Sequence, residues 1–138
     1  MSTPMITAAV RGNAEMILVL HELGAEVDQE AMGLTPLVSA IQMNNPEAVM
    51  ILCKLGADVN KKPSSSGPPI LEAVLRGYVD IIKILHSSGA SIKSISLPDD
   101  QFIPNQLATV SLLSKLGISV RVPMHSYNVV RWPQKQGL

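Results

Sequence analysis

The side chains best suited to chemistry in this sequence keep step with one another. His21, Cys53, His86 and Ser114 stand 32, 33 and 28 residues apart, and each lies three residues before a glycine, namely Gly24, Gly56, Gly89 and Gly117. Imidazole, thiol and hydroxyl are the groups of nucleophilic catalysis, and two histidines with a cysteine also make a set of zinc ligands. If the spacing marks repeated units, however, equivalent residues lie about 8–10 Å apart, the usual helix packing distance, whereas zinc ligands each lie about 2.0–2.3 Å from one ion. The column is therefore expected to be partly buried packing, with no metal and no cofactor. Other signatures of catalysis are missing: the sequence has no phosphate-cradling glycine loop, no C-x-x-C, no H-E-x-x-H and no G-x-S-x-G. Asp99 and Asp100 follow Pro98 at an expected helix start, where acids offset the helix dipole. The chain is not expected to be an enzyme.

The elements that hold this column repeat with it. Sixteen residues before the first three glycines stand Ala8, Ala40 and Ala73, and four before them Leu20, Leu52 and Leu85. Twelve before them come Gly12, Asn44 and Gly77, residue types that tolerate the left-handed conformation ending a helix. The stretches "TPM" (3–5) and "TPL" (35–37) read as a threonine N-cap followed by proline in the first helical turn. Each unit thus predicts two short helices, the second presenting apolar residues such as Val49, Ile51 and Leu52 to its neighbour and closing at "LGA".

The stretch "GLTPLVSAIQMNNPEAVMILCKLGADVN" (33–60) resembles an ankyrin repeat, whose helix start reads T-P-L-H-x-A at a period near 33 residues, and residues 3–28 and 67–92 resemble it too. Ile6, Val38 and Leu71 replace the motif's histidine, and Pro68 replaces the threonine in the third unit. The resemblance implies an all-α solenoid of three clear repeats (1–30, 31–62 and 63–94). A degenerate capping repeat (95–120) follows, with Gln101 in the alanine column, Pro104 near the end of its first helix, and Leu113 and Gly117 in their own columns. Its connection is short: Gly89 to Ser96 spans 7 residues where Gly24 to Thr35 spans 11. The tail (121–138) leaves the pattern. Its Tyr127, Val129, Val130 and Trp132 read equally as a linear binding motif or as an arm over the last repeat.

Composition narrows the choice of partners. Eleven Lys and Arg balance eleven Asp and Glu, so no overall field draws the chain to nucleic acid or an anionic membrane. Locally, residues 1–30 hold five acids against Arg11, while residues 101–138 hold Lys115, Arg121, Arg131 and Lys135 with no acid. The single Cys53, the missing basic leader and a longest apolar run of only "MILVL" (16–20) suggest an intracellular protein, cytoplasmic or nuclear.

By the same resemblance, first helices and connecting fingers line a concave groove that binds protein. Its contact positions are Val10, Arg11, Met32, Leu34, Gln42, Met43, Leu75 and Arg76. Exposed Arg, Met and Leu suit a protein partner better than a small molecule. On the opposite face Leu18, Met50 and Lys83 share a column where the family usually carries charge. Asn60, preceded by "DV" with a leucine eight residues earlier, resembles the pattern by which asparagine hydroxylases choose such repeats. The serines of "NKKPSSSGPP" (60–69) read as a solvated turn that could accept phosphate. The expected function is that of a non-enzymatic adaptor, scaffold or regulatory subunit. The alternative is a short form or fragment of a larger ankyrin-repeat protein with a structural role. A monomer is expected unless the units belong to a longer array.

Overall fold

The computed structural model describes residues 2–96 and 105–121. Asp99, Asp100, Gln101, Pro104 and the tail beyond Arg121 lie outside the described residues. Six helices form three antiparallel pairs: α1 (Pro4–Arg11) with α2 (Ala14–Glu22), α3 (Pro36–Gln42) with α4 (Pro46–Lys54), and α5 (Pro69–Arg76) with α6 (Val79–Ser87). A seventh, α7 (Gln106–Lys115), packs beside α6. First helices form one layer, α1 on α3 on α5, and second helices the other, α2 on α4 on α6. The result is a helical solenoid.

The repeated columns explain why each pair folds alike. The Thr3 and Thr35 hydroxyl oxygens accept from the N–H groups of Ile6 (3.1 Å) and Val38 (3.3 Å), capping α1 and α3; Pro68 offers α5 no such group. Gly12, Asn44 and Gly77 end the first helices at φ of 68°, 54° and 70°. The turn brings the next N–H back to the alanine column, Asn13 to Ala8, Asn45 to Ala40 and Tyr78 to Ala73, each at 3.0 Å. Those alanines are buried, small enough to let neighbouring first helices approach. The leucine carbonyls close the second helices in the same way, accepting from Ala25, Ala57, Ala90 and Ile118. Leu52, Leu85 and Leu113 are fully buried between units, whereas Leu20, at the open end, is half-buried.

One set of hydrogen bonds stitches successive units at their turns. Asp28 accepts the N–H of Asp58 on both carboxylate oxygens (3.1 Å each), and the Asn60 side-chain oxygen accepts the N–H of Ser91 (2.8 Å). At the third junction the equivalent position is Lys93, whose side chain can only donate. There the main-chain carbonyl of Lys93 accepts from Ser119 (3.0 Å), and the pairing continues as two parallel strands, β1 (Ser94–Ser96) and β2 (Ser119–Arg121), with Ile95 opposite Val120. The expectation of an all-α chain thus holds for the architecture and needs this small ribbon added. The shortened connection after Gly89 runs as strand where earlier units build a finger. Replacing Asn60 with alanine removes an acceptor from a junction and strands the Ser91 N–H. A loss of about 1–2 kcal/mol in denaturant-measured stability is expected.

Candidate protein-binding groove

The finger before α3 is a two-residue hairpin in which Ala31 and Leu34 exchange both main-chain bonds, at 2.9 and 3.0 Å. Such a turn needs positive φ at both central residues, which favours Asn or Gly. Gly33 (φ 77°) complies, but the other position holds Met32 at φ 54°, with 75% of its surface exposed. A bulky side chain in that conformation is strained, and here it is also held out into solvent.

Beneath the hairpin lies a hollow of about 260 Å³ between α1, α3 and the finger. Val10, Met32, Leu34, Gln42 and Met43 line it, so five of the eight expected contact residues converge. Val10 and Met43 are exposed, and Leu34 and Gln42 half-buried. Ile6, Ala31 and Ser39 line it too, and the sequence reading passed over them. A signal existed for Ser39: Thr7, Ser39 and Glu72 form one polar column in the middle of the first helices, whose other polar residues, Arg11, Gln42 and Arg76, stand at their last positions. Thr7 donates to the Thr3 carbonyl (3.1 Å) and Glu72 accepts from Ser66 and Arg76. The buried Ser39 hydroxyl has no hydrogen-bond partner among the described residues.

The remaining three expected contacts fall elsewhere. Arg11 is exposed but lines a separate hollow between α1 and α2. Leu75 and Arg76 lie on α5, outside the hollow, and the Arg76 guanidinium donates to Glu72 at 2.7 Å within its own helix. Arg76 is therefore an internally paired cation, and its charge is less available to a partner than the sequence suggests.

The finger before α5 departs from its expected role as a solvated turn. The Ser65 hydroxyl and N–H reach the Gly33 carbonyl at 2.6 and 3.2 Å, and Ser66 donates to Glu72 at 2.9 Å. The Ser64 hydroxyl and N–H both donate to Glu30, while the Lys61 ammonium donates to the Asp28 carbonyl at 2.8 Å. All three serine hydroxyls are thus donors to the neighbouring finger or to α5. The Ser64 hydroxyl, aided by its N–H and by Lys61, holds the Glu30 carboxyl below its ordinary pKa. A carboxyl depressed on folding lends stability above its unfolded pKa and loses it as pH falls through the folded one. Acidification through and below the usual carboxylate range should therefore loosen this finger in the native protein and leave it unmoved in Glu30→Gln, read from the Ser64 amide resonance.

Of the chemical column, Cys53 and His86 are half-buried, as expected of packing, whereas His21 and Ser114 are exposed. Burial pushes the Cys53 thiol pKa up, only partly offset by the Ser88 hydroxyl, so it stays protonated at neutral pH and is a poor nucleophile. The described residues contain no group of His, Cys, Asp or Glu arranged to hold a metal ion, and no helix among them is long and apolar enough to cross a membrane. Leu18 and Met50 are each 41% exposed on the second-helix layer, beside exposed Lys83. Asn60 is exposed, yet its amide nitrogen donates to the Gly89 carbonyl (3.3 Å) while its oxygen holds Ser91. An enzyme acting on that side chain has to break both bonds.

Stacked helix pairs joined by fingers, one of them the Ala31–Leu34 hairpin, define a helical repeat protein. The family model for ankyrin repeats (3 copies) matches residues 1–63, so this part of the chain is similar to ankyrin repeats. The match ends in the finger before α5, and α5 with α6 continues the same geometry beyond it. No curated protein sequence matches the chain.

Proposed function

We propose that this chain is a non-enzymatic recognition module, an adaptor or regulatory subunit, that seats a segment of a protein partner in the hollow between α1, α3 and the Ala31–Leu34 hairpin. Repeats of this family serve in general as protein-interaction modules. The observation that carries the reading is Met32, an apolar side chain kept exposed in a conformation that Asn or Gly would occupy more easily. Flexible methionines at positions 32 and 43 beside Val10 and Leu34 suit an apolar anchor of the partner, and the half-buried Gln42 amide can bond its main chain. A single cysteine without a disulfide suits a reducing compartment, the cytoplasm or nucleus.

Met32→Asn separates structure from recognition. Relief of the strained turn should raise stability by about 1 kcal/mol, while removal of the apolar tip weakens partner capture. The experiment compares proteins retained from source cells by the native chain, Met32→Asn, Met43→Glu and a control, Met50→Glu, on the opposite layer. Proteins lost with both groove variants and kept by the control identify the groove as the binding surface. Equal retention by all four chains, or loss with Met50→Glu alone, overturns it.

A further inference from the structure

The first helix pair leaves bare the side that the later pairs bury. Met16 is 44% exposed, while Ala48 and Ile81, its equivalents in α4 and α6, are fully buried. Leu23 is 78% exposed at the end of the same helix. Between α1 and α2 runs a hollow of about 380 Å³ lined by Ala8, Arg11, Met16 and Leu20 among others. In the later pairs the corresponding place is filled by the preceding helix pair, α2 against α4 and α4 against α6. The geometry therefore asks for one more helix pair of the same kind.

The main chain asks for it as well. Each later unit gives back one N–H, from Asp58, Ser91 or Ser119, to an acceptor four residues after the preceding unit's glycine. Glu26 holds the corresponding place in the first unit, and its N–H has no partner among the described residues. At the other end, Arg121 lies four residues after Gly117, where Asp28, Asn60 and Lys93 each follow their own glycines, and it belongs to β2, an edge strand among the described residues.

Charge selects the occupant. Residues 2–30 carry Glu15, Glu22, Glu26, Asp28 and Glu30 against Arg11, so two such ends repel each other. Residues 105–121 carry Lys115 and Arg121 and no acid, and α7 leaves Leu107 58% exposed. We propose that the α1–α2 face binds the α7–β2 end of a second copy of this chain, head to tail, with the Glu26 N–H donating to the Arg121 carbonyl of that copy. A contact of this heterologous kind leaves both outer ends open, so association extends with concentration rather than stopping at a dimer. This departs from the monomer that the sequence leads one to expect.

Sedimentation of the native chain over a wide concentration range tests it, with two variants checked for native helicity. Met16→Lys places a cation on the acidic end, and Lys115→Glu with Arg121→Glu places anions on the basic end; all three sites are exposed. Native mass should rise with concentration, less so at high salt. Each variant alone should associate about tenfold more weakly or worse, and a mixture of the two should recover heavier species, because each supplies the end the other lacks. A native chain that stays monomeric throughout overturns the proposal, as does a mixture that recovers nothing. Undiminished association of the Lys115→Glu, Arg121→Glu chain overturns it in favour of two like faces meeting.

Discussion

Leu52→Ala should lower the stability of the protein by about 2–5 kcal/mol, the range for leucine truncation in a closed core. Leu52 is fully buried on α4, the second helix that packs on both α2 and α6, and its own carbonyl holds the Ala57 turn. Its removal opens a cavity among the packed apolar side chains of the core. Leu20, its counterpart on α2, is only half-buried at the open end of the stack, so Leu20→Ala should cost less than half as much. Denaturant midpoints at dilute protein concentration give the comparison. Equal losses would contradict the burial gradient along the stack.

Gly33→Ala should cost about 1–3 kcal/mol through backbone strain alone, with a further loss from the finger it displaces. At φ 77° an added Cβ would lie 2.7 Å from both Cβ and Oγ of Ser65, closer than such atoms come. Ser65 cannot simply turn away, because its hydroxyl and N–H both bond the Gly33 carbonyl. The consequence is local as well as global. Exchange of the Ser65 amide should quicken in Gly33→Ala, whereas Gly56→Ala, strained at φ 97° but with nothing within 4 Å of its Cβ, should leave that amide protected. Unchanged Ser65 exchange in Gly33→Ala would mean that the two fingers are not joined in solution.

The parts of this fold that were legible in the sequence are those whose geometry constrains residue type. Left-handed helix ends demand Gly or Asn, close helix packing demands Ala, and caps demand Thr; hence columns such as Ala8, Ala40 and Ala73 fixed the helix pairs. Family resemblance named five residues, Val10, Met32, Leu34, Gln42 and Met43, that line the hollow beneath the hairpin. Arg11 opens onto the hollow between α1 and α2 and not onto the one beneath the hairpin, a difference of side-chain direction that its place in the sequence does not show. The pairing of Arg76 was readable, since Glu72 stands one helical turn before it, but a count of charges does not weigh such pairs. The serine finger was not legible: its acceptors Glu30 and Gly33 lie more than thirty residues away, and nothing local marks them. Nor was the β1–β2 ribbon, whose register is made by peptide groups that every residue but proline carries.

That ribbon has a consequence for how such chains diverge. Where a junction is held by the carboxylate of Asp28 or the amide of Asn60, selection has a side chain to preserve, and drift there loosens the stack. Where the Lys93 carbonyl does the same work, the residue at 93 is free to vary. An array can then shed its recognisable letters at one end while its units remain side by side. The substitution that this junction refuses is proline at 119, which would delete the donor itself.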